Sequence, residues 1–152
     1  MNLNDFNSLV DLFFYQTEKQ NPSSIFLEWL NPKNKKKLTW GETSSNIYKL
    51  AKILKENIVD GDRCLLVSEN RPEWLISDIA IMLANGITVP AYTTYTEKDY
   101  KYLIEDCQPS VIIVSNDEMH NKLKNIIKEN DFIKKVITFE KIQEADYNNK
   151  YL

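Results

Sequence analysis

Apolar and polar positions follow two different rhythms along the chain, with a change near residue 60. Before that point, "SIFLEWL" largely alternates, which predicts a strand paired with "KKLTW" across the Pro32–Lys36 turn. Residues 3–20 repeat their apolar positions at helical spacing, and Asn21-Pro22 ends this rhythm because the residue before a proline disfavours helical backbone. The apolar positions of the predicted helix are Leu9, Leu12, Phe13 and Tyr15.

A second helix is predicted after the hairpin. Thr39 and Glu42 in "TWGE" stand three positions apart, which predicts a capping box in which each side chain satisfies a backbone N–H of the first turn. Gly61 in "VDGD" permits the turn that follows this helix. The predicted apolar face consists of Ile47, Leu50, Ala51 and Leu54.

From Gly61 onward, short apolar segments alternate with helical ones. "RCLLVS", "ITVPAY", "SVIIVS" and "KKVITFE" predict strands, and "PEWLISDIAIMLAN", "TEKDYKYLIEDC" and "DEMHNKLKNIIKEN" predict helices between them. Pro72 suits a first helical turn and Gly86 the position after a helix end, while Thr96 with Asp99 forms another box-like start. Successive βα units predict a doubly wound α/β fold, with a mostly parallel sheet and flanking helices.

The 152 residues are enough for one domain with a proper core. We divide it into the hairpin and first helices (1–60), the βα units (61–140) and a tail (141–152) without a predicted element. An uncovered sheet edge at "KKVITFE" favours self-association of the chain.

Charge and composition exclude several classes of protein. The formal net charge is −3 and the dense basic run, Lys33–Lys37, is predicted to be a solvated hairpin tip, so no nucleic-acid-binding face is expected. The longest apolar run, Ile79–Ala84, is far shorter than the ~20 residues of a membrane helix, and the N-terminus lacks the basic start of a signal peptide. Cys64 and Cys107 lie in no metal or redox motif, which predicts buried free thiols and a cytoplasmic location.

Parallel α/β sheets bind ligands beyond the carboxyl ends of their strands. Polar side chains follow three of the predicted strands and could contact a ligand there. The same residue types are also what a loop needs to enter a helix, so a structural role stays open for each. The candidates are Glu69, Asn70 and Arg71, then Thr93, Thr94 and Tyr95, then Asn116 and Asp117.

The sequence contains no motif for a phosphate cradle or for nucleophilic catalysis. Neither GxGxxG nor GxxxxGK[ST] occurs, and the three glycines fall where turns or helix ends are predicted. His120, the only histidine, is predicted on a helix surface, which leaves a Ser–His or Cys–His pair without a base. The adjacent carboxylates Glu105-Asp106 and Asp117-Glu118 point in different directions on their helices. The tryptophans predicted to anchor packing seams are Trp29, Trp40 and Trp74.

The stretch from "LTWGE" to "VIIVSN" resembles the N-terminal region of AMP-forming acyl-CoA synthetases, which belong to the adenylate-forming superfamily. The matching features are "TW" opening a helix, "GD" before a strand, "NRPEW" opening a helix and "GITVPAY" on the next strand. "ENRPEWLISDIAIMLANGITVPAYTTYT" is typical of the long-chain fatty acid branch. The resemblance covers at least residues 8–116 and implies the N-terminal part of a larger AMP-binding domain.

The resemblance implies a two-step ligase that activates a fatty acid with ATP and Mg²⁺ to an acyl-adenylate and then transfers the acyl group to coenzyme A. An intact enzyme of this kind can also associate peripherally with a membrane. The motifs that perform this chemistry in the family have no match here, so no residue inherits a catalytic, cofactor-binding or metal-binding role. The chain alone is therefore expected to bind no cofactor and to be inactive. Three interpretations stay open: an N-terminal fragment of a ligase, a freestanding non-catalytic module, and an enzyme with an unrecognised site.

Overall fold

The computed structural model describes residues 6–30 and 35–142. The tail beyond residue 142 and part of the predicted Pro32–Lys36 turn lie outside these ranges. The helices and strands in chain order are α1 (Leu9–Lys19), β1 (Ile25–Trp29), β2 (Lys36–Thr39), α2 (Trp40–Lys55), β3 (Arg63–Val67), α3 (Pro72–Leu83), β4 (Ile87–Ala91), α4 (Glu97–Cys107), β5 (Val111–Val114), α5 (Asp117–Glu129) and β6 (Lys135–Thr138).

The main sheet has four parallel strands in the order β4-β3-β5-β6. Successive residues of a strand point to opposite faces, and β3 shows the consequence. Cys64 and Leu66 pack with α2 and α3 on one face, whereas Leu65 and Val67 pack with α4 and α5 on the other. Because helices cover both faces, β3 is apolar almost throughout, and the predicted doubly wound α/β fold is confirmed.

The hairpin of β1 and β2 is antiparallel, as its alternation predicts. Trp40, predicted within the second strand, is instead the first residue of α2, because Thr39 already serves as the N-cap. Two lysines of the basic run form ion pairs. Lys36 contacts Glu73 at 2.5 Å and Lys37 contacts Glu28 at 3.0 Å.

Both predicted capping boxes are present. The Thr39 hydroxyl accepts a hydrogen bond from the backbone N–H of Glu42 at 3.1 Å, and the Glu42 carboxylate accepts one from the N–H of Thr39 at 2.8 Å. Thr96 and Asp99 make the same reciprocal contacts at the start of α4. Local sequence therefore fixes the start of α2 and of α4.

The end of α3 differs in detail from the prediction. The residue with left-handed backbone is Asn85, with φ of 63°, rather than Gly86. The N–H of Gly86 donates to the Ile81 carbonyl at 2.9 Å and that of Asn85 donates to Met82 at 3.0 Å, the bond pattern of a Schellman motif. A side chain at position 86 would place its Cβ 3.0 Å from the Ile58 and Ile81 side chains, so both would have to shift to admit it.

Helix α1 begins later than predicted, because the Ser8 side chain accepts a hydrogen bond from the Asp11 N–H and caps the helix there. The predicted apolar face is also partly wrong, since Leu9 is 67% exposed and Tyr15 is exposed as well. Phe13 packs on the core as predicted, and Phe14, which is not among the predicted positions, packs there too. Neither of the two exposed side chains lies on the side of α1 that faces the rest of the domain.

Candidate functional site

The loops after β3 and β4 enclose a cavity of about 460 Å³ at the carboxyl edge of the sheet. It lies where a parallel α/β sheet is expected to receive a ligand. The order β4-β3-β5 places these two loops side by side. The lining residues are Ser68, Glu69, Asn70, Trp74, Pro90, Ala91, Tyr92 and Thr93.

Glu69 and Asn116 follow different strands and meet at this edge. The Asn116 side-chain amide donates to Glu69 Oε1 at 3.1 Å, and its Oδ1 accepts from the Met119 N–H at 3.1 Å, which caps α5. One asparagine therefore caps a helix and holds the carboxylate of the neighbouring loop. Asn116 itself is not among the residues that line the cavity, so its observed role is structural.

Lys122 also reaches the cavity edge, although no motif in the sequence singles it out. Its Nζ donates to the Thr93 carbonyl at 2.8 Å and lies 3.6 Å from a Glu118 carboxylate oxygen. Only the packing of α5 beside the loop after β4 shows its target, the Thr93 carbonyl.

The remaining candidates from the second and third loops do not line the cavity. Thr94 is exposed, and the ring of Tyr95 packs edge-on against Tyr92 and Tyr100. Asp117 opens α5 and accepts a hydrogen bond from the Asn121 amide at 3.4 Å. Tyr95 and Asp117 therefore make local contacts beside the cavity rather than in it.

Arg71 turns away from the cavity toward the hairpin. Its Nε donates to Glu73 at 2.9 Å and its Nη1 donates to Glu140 at 2.7 Å. The guanidinium carbon also lies 4.6 Å from the ring centre of Trp29. The sequence grouped Arg71 with Glu69 and Asn70, but only Glu69 and Asn70 line the cavity.

His120 is buried, with 1% of its surface exposed, and the predicted surface position is wrong. It shares the inner face of α5 with Leu123 and Ile127, and their spacing of three and seven positions was the signal that could have placed it. Polar neighbours in sequence masked this periodicity. His120 is not among the residues that line the cavity.

The cavity offers hydrogen-bonding and aromatic groups rather than reactive ones. Its carboxylate, amide and hydroxyl groups can orient a ligand, and Trp74 with Tyr92 can contact apolar or aromatic surface. Nearby, the Tyr100 hydroxyl donates to the Tyr92 carbonyl at 2.7 Å. Burial raises the pKa of Tyr100 to about 12, so this phenol stays neutral and acts as a donor.

The adjacent carboxylates and the possible metal ligands of the described residues do not form a second candidate site. Glu105 and Asp106 are exposed on α4, and within residues 6–30 and 35–142 no cluster of His, Cys, Asp and Glu could hold a metal ion. Among the helices of those ranges, none is long and apolar enough to cross a membrane.

Comparison with known proteins identifies the family. Residues 14–150 match the model of the AMP-binding enzymes, and the chain belongs to that family, a family of adenylate-forming acyl-CoA synthetases. This match includes both the hairpin and all the βα units of the fold.

Similar proteins of known name are considerably longer. The human mitochondrial acyl-coenzyme A synthetase ACSM3 is 27% identical over 146 residues, which is 82% of this chain and 24% of that protein. A long-chain-fatty-acid–CoA ligase of Bacillus subtilis is 38% identical over 79 residues, which is 51% of this chain and 14% of that protein. The chain thus spans about a quarter or less of the length of these relatives.

Solved structures agree on the fold. The anthranilate CoA ligase AuaEII in complex with anthranoyl-AMP aligns with a TM-score of 0.80 at 21% identity, over 95% of this chain and 28% of its own. The coronafacic acid ligase of Pectobacterium brasiliense gives a TM-score of 0.80 at 18% identity, over 92% of this chain and 27% of its own. The observed arrangement is therefore that of an N-terminal region of an AMP-binding ligase.

Proposed function

We propose that this chain is the N-terminal part of a long-chain fatty acid–CoA ligase. Such an enzyme uses ATP and Mg²⁺ to convert a fatty acid to an acyl-adenylate and pyrophosphate, and coenzyme A then takes the acyl group as a thioester. The observation on which the proposal rests is the family match over residues 14–150 combined with a coverage of 24% of one relative and 14% of another. The long-chain branch is supported by the 38% identity to the Bacillus subtilis ligase.

In this proposal the chain supplies scaffold rather than chemistry. Adenylation needs donors and cations placed where charge develops on the transferring phosphate. The sequence has three glycines and no glycine-rich loop, and Lys122, the basic side chain at the cavity edge, is bound to the Thr93 carbonyl and lies beside Glu118. The phosphate-binding and catalytic groups therefore belong to other parts of the intact ligase.

The proposed location is the cytoplasm. Cys64 and Cys107 are both free thiols, and free thiols are typical of reducing compartments. Peripheral association of the intact enzyme with a membrane would bring it to its fatty acid substrate and forms part of the same proposal.

A second candidate function is a freestanding, non-catalytic binding module. The cavity of about 460 Å³ favours it, since its volume lies within the range of small-molecule sites, ~300–1,000 Å³. In that case the family fold would serve binding alone, without any ligase chemistry.

Fatty-acid-dependent ATP–pyrophosphate exchange distinguishes these functions when three proteins are compared. The first is the 152-residue chain, the second is the Bacillus subtilis ligase without its corresponding N-terminal residues, and the third is that truncated ligase joined to this chain. We expect the first two to be silent and the third to catalyse exchange.

Exchange by the chain alone, surviving repurification and absent from a mock preparation, would reveal a site of its own and contradict the proposed fragment. A folded fusion no more active than the truncated ligase would instead favour the binding module. The intact Bacillus subtilis enzyme serves as the positive control.

A further inference from the structure

Arg71 neither lines the cavity nor caps α3 with its side chain, so its conformation needs another explanation. It occupies the N-cap position of α3 but makes no side-chain capping hydrogen bond, although this position normally favours Ser, Thr, Asp or Asn. Its side chain is only 5% exposed. An arginine at this position must therefore satisfy a different requirement.

The guanidinium joins three segments that are far apart in sequence. It lies over the ring of Trp29 on β1 at 4.6 Å and over the ring of Phe139, just after β6, at 5.5 Å. Nη1 donates to Glu140 at 2.7 Å, across a separation of 69 positions. Nε donates to Glu73 in the first turn of α3 at 2.9 Å. The hairpin, the start of α3 and the end of β6 thus meet at one side chain.

Glu73 extends this arrangement back to the hairpin. Its other carboxylate oxygen is 2.5 Å from Lys36 Nζ on β2. Burial acts to lower the pKa of Arg71, but the hydrogen bonds to Glu73 and Glu140 outweigh it and the net shift is upward. The guanidinium therefore stays charged and bound in place.

Stability alone is a poor reason for such a group. Replacing a buried ion pair by apolar residues of similar volume is often neutral or stabilising. A guanidinium does provide a rigid planar fork whose donors fix the directions of their partners. We therefore expect this arrangement to fix the position of the backbone at the end of β6.

We propose that Arg71 is a positioning residue that fixes the path of the chain as it leaves β6 through Phe139 and Glu140. Its consequence for catalysis rests on the proposed function: in the intact ligase, the segment after β6 would connect this part of the fold to the rest of the enzyme. Arg71 would then set where that segment starts without touching the substrate. The hairpin contributes by providing Trp29 as one wall of the guanidinium site.

Hydrogen exchange of single amides in the full 152-residue chain tests this proposal. The Phe139 N–H donates to the Val114 carbonyl at 3.1 Å and reports on the strand end. We expect Arg71→Met and Glu140→Ala to accelerate its exchange about tenfold, the usual effect of losing a hydrogen bond to a charged group. Amides at the centre of β3 and β5 should change much less.

Two further variants separate positioning from general stability. Arg71→Lys keeps the charge but replaces the planar fork by a single donor nitrogen, so its Phe139 exchange should fall between those of the wild-type chain and Arg71→Met. Glu28→Ala removes the exposed ion pair with Lys37 and should leave the Phe139 amide unchanged.

Unchanged Phe139 exchange in both Arg71→Met and Glu140→Ala would overturn the proposal. An equal acceleration of every amide would overturn it too, because that result indicates lower global stability only. Should Arg71→Met fail to fold, Glu140→Ala still decides the matter, since the Glu140 side chain is 50% exposed. The measurement uses this chain alone, so its result does not depend on whether the ligase activity exists.

Discussion

Cys64 and Cys107 show how strongly surroundings decide the chemistry of a single residue. Cys64 lies within β3 and is completely buried, and this burial, with the nearby Asp62 carboxylate, raises its pKa to about 12. Cys107 ends α4 and is only half-buried, with a pKa also raised by burial. The thiolate is the reactive form, so neither cysteine has the environment of a catalytic nucleophile.

Thiol labelling of the native chain should therefore modify Cys107 alone. We expect Cys64 to react only when denaturant unfolds β3, because reagents cannot reach a side chain without exposed surface. Cys107→Ser isolates the buried thiol and Cys64→Ser provides the matched control. Rapid native labelling of both thiols would contradict the assignment of "RCLLVS" to the centre of the sheet.

Glu73 should make the chain sensitive to acid. Burial acts to raise its pKa, but hydrogen bonds from Arg71 and Lys36 outweigh this and leave the pKa below the ordinary value of 4.5. A carboxyl with a lowered folded-state pKa stabilises the fold fully above its unfolded-state pKa, and this contribution is lost as the pH falls through the folded-state value. The loss should therefore occur below about pH 4.5.

Denaturant titrations of the wild-type chain and of Glu73→Gln measure this contribution. The free energy of unfolding should differ between them at about pH 7, and the difference should shrink as the pH falls below about 4.5. Glu28→Gln, at an exposed ion pair, is the control and should show little difference on either side of that pH. A Glu73→Gln difference that is independent of pH would contradict the assignment.

The helices and strands follow from local pattern wherever a local signal is strong. Thr39 and Thr96 fix two helix starts through capping boxes, and the continuous apolar strands correctly predict a sheet covered on both faces. Errors arise where tertiary contacts decide the outcome. Burial of His120 depends on which side of α5 meets the sheet, and the partner of Arg71, Glu140, lies 69 positions away.

The two capping boxes provide a quantitative test at the level of the helix. Thr39→Ala and Thr96→Ala should each lower the free energy of unfolding by ~1 kcal/mol, because each leaves a first-turn N–H without its partner. Ser45→Ala is the matched control on the exposed face of α2 and should change little. A denaturation midpoint that does not move in Thr39→Ala would show that the observed box contributes nothing.

For the whole molecule, the exposed edges of the sheet are the main consequence of its strand order. Among the described strands, β4 and β6 are the two edges of the four-stranded sheet. Unpaired edge strands can pair with another chain, and proline blunts them because it removes a donor. β4 contains Pro90, whereas β6 contains no proline, so β6 is the edge expected to support the predicted self-association.

The outward donors of β6 can be assigned from its ladder. The N–H of Lys135 donates to the carbonyl of Ser110, just before β5, and the N–H of Phe139 donates to the carbonyl of Val114, the last residue of β5. Alternate residues of a parallel strand bond the same neighbour, so the N–H groups of Val136 and Thr138 face the open side.

Thr138→Pro should thus weaken pairing between chains while sparing the hydrogen bonds between β6 and β5. Ile137→Pro is the contrasting control, because it removes a donor to β5 and should destabilise the fold. Sedimentation velocity over a concentration series should show association of the wild-type chain that Thr138→Pro reduces. A wild-type chain that stays monomeric throughout, or a Thr138→Pro variant that associates equally well, would contradict pairing through β6.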